Sequence, residues 1–164
     1  MKIKTKQLVI ASIMIALCGI AGLTSVYIYY NSVKLSFMFL PISVIGSTLP
    51  PIISIPAGIL GDFVNWYCKP IGAYFPGYGL SSAITVIIYA VFLYKKEVKI
   101  WRVAAARGLV LIFIDLLLNM YWGTLVTGQA INIIFIPRIV KSIIEYPIDV
   151  YLIYLFTKLT RKII

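Results

Sequence analysis

Leu8-Val9-Ile10-Ala11-Ser12-Ile13-Met14-Ile15-Ala16-Leu17-Cys18-Gly19-Ile20-Ala21 is apolar around its whole circumference, with Ser12 as its one hydroxyl. A helix on the surface of a soluble protein keeps a polar face, and this run has none. A membrane β-strand alternates polar and apolar residues, and neither this run nor Leu109 to Asp115 does so. Only helices and closed barrels satisfy their backbone polar groups inside a bilayer, so the run predicts a transmembrane helix. Lys2, Lys4 and Lys6 before it give the start the look of a signal peptide. No clear small-x-small cleavage site follows, and Leu17 suits a lipoprotein site at Cys18 poorly, so the helix is expected to be retained.

The rest of the chain has the same character. Of 164 residues, 62% are hydrophobic, against about 45–50% in soluble domains, and the mean hydropathy is +1.00. One buried core cannot absorb that excess. Each transmembrane helix needs roughly 20 apolar residues. The predicted helices are Gln7 to Tyr30, Leu35 to Gly46, Ile52 to Trp66, Leu80 to Tyr94, Arg102 to Trp122 and Ile133 to Leu159. Pro50-Pro51 marks a turn, and Pro70, Gly72, Pro76, Gly77 and Gly79 place a loop over Tyr67 to Gly79. The expected fold is an all-α integral membrane protein, one compact bundle of six transmembrane helices over residues 1–164. No internal repeat or low-complexity segment interrupts it.

Charge orients the bundle. The net charge is +10, from 15 basic and 5 acidic residues. Ten of the basic residues fall on one side of a six-helix arrangement: Lys2, Lys4, Lys6, Lys95, Lys96, Lys99, Arg102, Lys158, Arg161 and Lys162. Basic residues collect on the cytoplasmic side, so both termini are expected there. Five helices would split the termini and break the pattern. The same rule makes nucleic acid an unneeded partner for this charge.

Intramembrane charges are costly and mark cavities or interhelical pairs. Asp62, Asp115, Glu145 and Asp149 all lie in or at the ends of predicted helices. Arg138, Lys141, Glu145 and Asp149 are spaced three, four and four apart and share one face of the last helix. Asp115, Asn119 and Trp122 form a polar–aromatic stripe on the fifth helix, and Asp62, Asn65 and Lys69 another at the end of the third. Together they suggest a polar cavity open to the outside. The competing reading is ion pairing, such as Lys141 with Glu145 within one helix. For Arg107 and Asp149, nearer the cytoplasm, a structural or partner-contact role is the better expectation. The aromatic loop Gly72 to Tyr78 serves either as an interfacial belt or as a lid over a flat ligand. Ser12-x-x-x-Ala16 and Ala104-x-x-x-Gly108 are small-residue patterns that let helices approach.

Catalysis is poorly supported. The chain has no His, hence no Ser-His-Asp triad and no His-based zinc motif. It has no Gly-x-x-x-x-Gly-Lys phosphate loop, and the acidic residues lack the contexts of an aspartyl intramembrane protease. With two cysteines, Cys18 and Cys68, no disulfide is expected.

Gly61-Asp62, followed by Pro70-Ile71-Gly72-Ala73-Tyr74-Phe75-Pro76-Gly77-Tyr78-Gly79-Leu80-Ser81-Ser82-Ala83, resembles the folate-family substrate-binding (S) components of energy-coupling factor (ECF) vitamin transporters. Further stretches are similar in order: Lys34 to Pro41, Tyr89 with Phe92 to Lys96, Leu118-Asn119-Met120-Tyr121-Trp122, and Pro137-Arg138-Ile139-Val140-Lys141 followed by Pro147. The chain departs from the family at Leu23 to Tyr27, which lacks an Arg, at Gly79, where Thr is usual, and at Lys69, where Phe is usual. The resemblance implies a subunit of the bacterial plasma membrane that captures a vitamin outside. It implies a membrane coupling (T) subunit and two ATP-binding subunits as partners, with ATP and Mg held there and no cofactor or metal in this chain. It also implies that a surface around Ser12 and Ala16 meets the T subunit.

For a folate, Trp122, Tyr74 and Phe75 would stack on the pterin. Asn119, Glu145, Asp62 or Asp115 would accept from its donor edge, and Arg138, Lys34, Lys69 and Lys141 would meet the tail carboxylates. The other readings are an S component for a different heterocyclic vitamin, such as pyridoxine or a thiamine precursor, and a ligand-free membrane scaffold.

Overall fold

The computed structural model describes residues 5–28, 33–70, 74–128 and 131–163. Among them the chain is nearly all helical. The helices are α1 (Thr5–Leu23), α2 (Phe39–Thr48), α3 (Pro51–Cys68), α4 (Pro76–Leu93), α5 (Ile100–Leu109), α6 (Asn119–Thr127) and α7 (Ile131–Ile163). A π-helical segment, Val110–Leu118, joins α5 to α6 without leaving helical backbone angles, so the described residues form six rods. Thr5–Leu23, Pro76–Leu93 and Ile100–Val126 are each long and apolar enough to cross a membrane, and α2 is a shorter apolar helix.

The first rod is shorter than the sequence suggests. Thr24 and Ser25 turn their hydroxyls back onto the carbonyls of Ile20 (3.1 Å) and Gly22 (2.6 Å), which competes with continued helix. The β-branched residues beyond then form a two-stranded antiparallel hairpin, β1 (Val26–Ile28) with β2 (Val33–Leu35), in the register Val26↔Leu35 and Ile28↔Val33. The loop before α4 is also shorter. Pro76 opens the helix at its first turn, where a missing N–H costs nothing, so Gly77, Tyr78 and Gly79 are helical rather than loop. At the other end, α7 begins at Ile131 and is 33 residues long, about 50 Å at 1.5 Å per residue.

α2 sits at the centre. Pro41 to Ser47 are buried without a break, and α2 packs on α1, α3, α4 and α7. The interior holds small and hydroxylated residues, including Ser43, Ser47, Ser54, Ser81 and Thr157, while Leu8, Ile13, Ile20, Ile52, Ile136, Ile143 and Ile144 are exposed. A soluble protein rarely leaves so much large apolar surface contiguous, so the exterior suits lipid.

Polar side chains on carbonyls fix both ends of the bundle. Asn65, 2% exposed, donates from Nδ2 to the Cys18 carbonyl at 2.8 Å. This places it in the α1–α3 seam and away from the stripe expected with Asp62 and Lys69. Lys69 instead reaches the Ser25 carbonyl at the base of the hairpin. At the opposite end Arg161 donates to the carbonyls of Ser47 (2.6 Å), Leu93 (2.6 Å) and Lys96 (2.5 Å), tying α7 to the C-terminal ends of α2 and α4. Cations suit helix C-termini. This end also carries Lys95, Lys96, Lys99, Arg102 and Lys158, which makes it the basic end of the bundle.

Gly22 makes the α1–α3 seam possible. A Cβ there would stand 2.4 Å from the Asn65 carbonyl oxygen, a backbone atom that no rotamer moves. Gly22→Ala is therefore expected to force the helices apart at a cost of about 1–3 kcal/mol, as overpacking does. Fluorescence-detected thermal unfolding of the solubilised protein checks it, and an unshifted melting curve would contradict the close approach.

Candidate functional site

The polar residues gather in one band between α3, α4, α6 and α7, at the end of the bundle remote from the basic end. It begins at the aromatic loop. Tyr74 donates to Asp62 Oδ2 at 3.4 Å, and its ring packs on Phe63 and Trp66, with centroids 5.2 and 5.3 Å away. Partial burial and then the Asp62 charge push the Tyr74 phenol above its usual value. Phe75 turns the other way and meets Trp122, with ring centroids at 5.3 Å and planes at 49°. Both rings nest over Gly77, whose Cβ would fall 2.3 Å from Phe75 and 2.8 Å from Trp122. The Trp122 indole N–H donates to Ser81 Oγ on α4 at 3.2 Å.

One turn along the rod from Trp122 lies Asn119. Its Nδ2 donates to Asp115 Oδ1 at 3.2 Å. A carboxylate accepts only, so this bond fixes the amide orientation and leaves Asn119 Oδ1 as an acceptor. That oxygen is buried and has no donor among the described residues. Arg138, from α7, lies beside the same stretch. Its Nη1 approaches the Asp115 carbonyl at 3.5 Å, and its Nη2 lies 3.0 Å from where a Gly123 Cβ would be. Asp115, Asn119 and Gly123 are four apart, so the guanidinium runs along the face that carries Asn119. Tyr78 stands between the two halves of the band, interacting with both Arg138 and Asp62.

Deeper in the bundle the charges pair. Arg107 bonds Asp149 through Nε (2.9 Å) and Nη2 (2.7 Å), and Asp115 through Nη1 (3.0 Å). The structural expectation for Arg107 and Asp149 is met by this network. The π-helical segment carries Asp115; such segments widen the helix and recur at functional sites. Lys141 and Glu145 form an i,i+4 pair at 3.3 Å, the arrangement weighed against a ligand role for them.

The structure therefore brings together Trp122, Phe75, Asn119 and Arg138, and sets Tyr74 with Asp62 on the adjoining flank. Lys141 and Glu145 lie further along α7, engaged with each other. Lys34 sits in β2, with its side chain outside the described residues. Ser12 and Ala16 are exposed together on α1, and Ser12 Oγ bonds the Leu8 carbonyl at 3.0 Å. The Ala104–Gly108 pattern is instead consumed inside the chain. Tyr146 of α7 lies 3.6 Å from the Gly108 Cβ position and donates to the Ala104 carbonyl at 3.0 Å. Ser81 was not legible as a site residue; one serine among small residues gives no signal without its indole partner.

Residues 6–156 match the family described as the ECF transporter, substrate-specific component. Among curated relatives, the folate transporter FolT of Clostridium novyi (strain NT) is 34% identical over 122 residues, 74% of this chain and 71% of the relative. The folate transporter FolT of Leuconostoc mesenteroides subsp. mesenteroides is 29% identical over 159 residues, 93% of this chain and 85% of the relative. A crystal structure of FolT bound with folic acid superposes with a TM-score of 0.85 at 29% identity, covering 94% of each chain. With the family match spanning nearly all of it and the fold agreeing, this chain belongs to the substrate-specific components of ECF transporters, a family of multi-pass membrane transport proteins and not of enzymes.

Proposed function

We propose that this subunit captures folate or a reduced folate from outside the cell. The observation that carries the reading is the convergence on one face of α6 of a stacking surface, an unanswered acceptor and a guanidinium. Trp122 with Phe75 offers aromatic faces to a flat pterin. Asn119 Oδ1 is an acceptor awaiting a donor, and the pterin edge carries N–H donors. Arg138 offers a fork suited to a carboxylate, and a folate tail has two. The relatives named FolT and the folic-acid-bound FolT structure support the same ligand.

In this reading the basic end faces the cytoplasm of a bacterial plasma membrane and the aromatic loop faces outside. The exposed Ser12–Ala16 face of α1 meets a membrane coupling subunit, and two ATP-binding subunits hold the ATP and Mg that drive release. No metal or cofactor is needed in this chain for capture. The Lys141–Glu145 pair neutralises itself on α7, and Lys34, in β2, adds a positive charge to the end that faces outside.

Mass spectrometry of the small molecule that copurifies with the solubilised protein, followed by titration with folates, tests the proposal. A bound folate, displaced by folates and by no other vitamin, is the expected result. A different vitamin would remove the tail-carboxylate role of Arg138, and an empty protein that binds no vitamin would favour a scaffold. Within the site, Asn119→Leu is expected to weaken folate roughly ten-fold by removing the buried acceptor, in line with a hydrogen bond of about 1–1.5 kcal/mol. Isothermal titration measures it; unchanged affinity would take the pterin edge away from Asn119.

A further inference from the structure

The basic end carries a feature that vitamin capture does not use. Between α3 and α4 lies a groove of about 160 Å3 walled by Pro51, Ile55, Ile87, Ala90, Val91 and Tyr94. The hydroxyl of Ser54, also in the wall, turns to the Pro51 carbonyl at 3.5 Å, so the lining is apolar. Ile87 and Val91 are 42% and 58% exposed, and the groove therefore opens on the lipid-facing side of the bundle.

One end of the groove is cationic. Lys95 Nζ lies 5.5 Å from the centroid of the Tyr94 ring, and Lys96 Nζ donates to the Val91 carbonyl at 2.6 Å. Tyr94 and Val91 are both groove walls, so two exposed ammonium groups stand at its mouth. Lys95 adopts φ 55° directly after the Tyr94 cap of α4, a left-handed position that glycine takes at lower cost. The acid of this loop, Glu97, pairs with Lys99 at 3.3 Å, which takes its charge away from Lys95 and Lys96.

We propose that this groove binds an anionic phospholipid, with one acyl chain lying along the α3–α4 wall and the phosphate between Lys95 and Lys96. The charge complementarity selects this occupant. An apolar channel that ends in paired cations at a membrane surface matches a molecule with an apolar tail and an anionic head. A zwitterionic lipid gains little from the two ammonium groups, because its own headgroup cation offsets the phosphate.

Native mass spectrometry of the whole chain, released from detergent with dioleoyl phosphatidylglycerol or dioleoyl phosphatidylcholine, tests this. The wild type is expected to retain phosphatidylglycerol in preference to phosphatidylcholine. K95Q/K96Q is expected to lose that preference with about ten-fold less retained phosphatidylglycerol, since each surface cation near an anionic headgroup contributes appreciably. Ile87→Trp, which fills the groove from its exposed side, is expected to lose the retained lipid while all cations remain. Circular dichroism and a single size-exclusion peak establish that both variants fold. Equal retention of the two lipids by the wild type would overturn the proposal. So would undiminished phosphatidylglycerol on Ile87→Trp, because a general basic surface does not need the groove. A photo-crosslinker at position 87 that captures protein rather than lipid in native membranes would overturn it as well.

Discussion

Arg107→Leu is expected to abolish a stable solubilised form of this protein. Arg107 is 8% exposed, and its guanidinium holds Asp149 and Asp115 through three bonds of 2.7–3.0 Å. Removing it leaves the Asp149 carboxylate, in a residue only 2% exposed, without its cation, and the part-buried Asp115 carboxylate with Asn119 but no cation. Breaking one partner out of a buried ion pair costs about 3–5 kcal/mol, a large part of the stability of a small domain. The loss should appear as aggregation or a collapsed melting temperature in fluorescence size-exclusion chromatography. The compensated variant Arg107→Leu/Asp115→Asn/Asp149→Asn separates charge from packing. If the orphaned carboxylates are the cause, it recovers most of the lost stability, since replacing all members of a buried ionic cluster is often neutral. An Arg107→Leu protein as stable as wild type would show that the network does not hold α5, the π segment and α7 together.

That network also marks the limit of sequence reading. The helices were legible because each rod announces itself by apolar length, and Trp122, Asn119 and Arg138 because a helical period is enough to place residues on one face. The Lys141–Glu145 pair follows from i,i+4 spacing alone. Partners on other helices are a different matter. Asn65 shares a periodic stripe with Asp62, yet it turns into the α1–α3 seam because Gly19 and Gly22 let α1 come close enough for the Cys18 carbonyl to reach it. Spacing along one helix does not say which neighbour stands opposite. The hairpin was hidden for another reason. Val26 to Ile28 continue the apolar run of α1, and the side-chain bonds of Thr24 and Ser25 that end the helix are worth too little to show in composition. The π segment left no signal either, since Val110 to Leu118 read as any apolar helix; it shows only in the backbone of the folded chain.

Arg138→Ala is expected to weaken folate by roughly 30- to 100-fold, the loss of a charge-assisted pair at about 2–3 kcal/mol. A pterin without the glutamate tail should lose far less. The guanidinium is the group in this site suited to a planar, bidentate carboxylate, and its surroundings set its place: the Asp115 carbonyl at one end, the missing side chain of Gly123 at the other, and Tyr78 beside it. Arg138→Lys keeps the charge but not the fork, and should recover only part of the affinity. The comparison between ligands separates two roles that one affinity would confuse. If Arg138 pairs with the tail, folate and the tail-less pterin respond unequally. If it instead braces α7 against the α6 face, both ligands lose affinity together and the unliganded protein melts earlier. Equal losses would remove the tail from Arg138, and leave the site to be read from Trp122 and Asn119 alone.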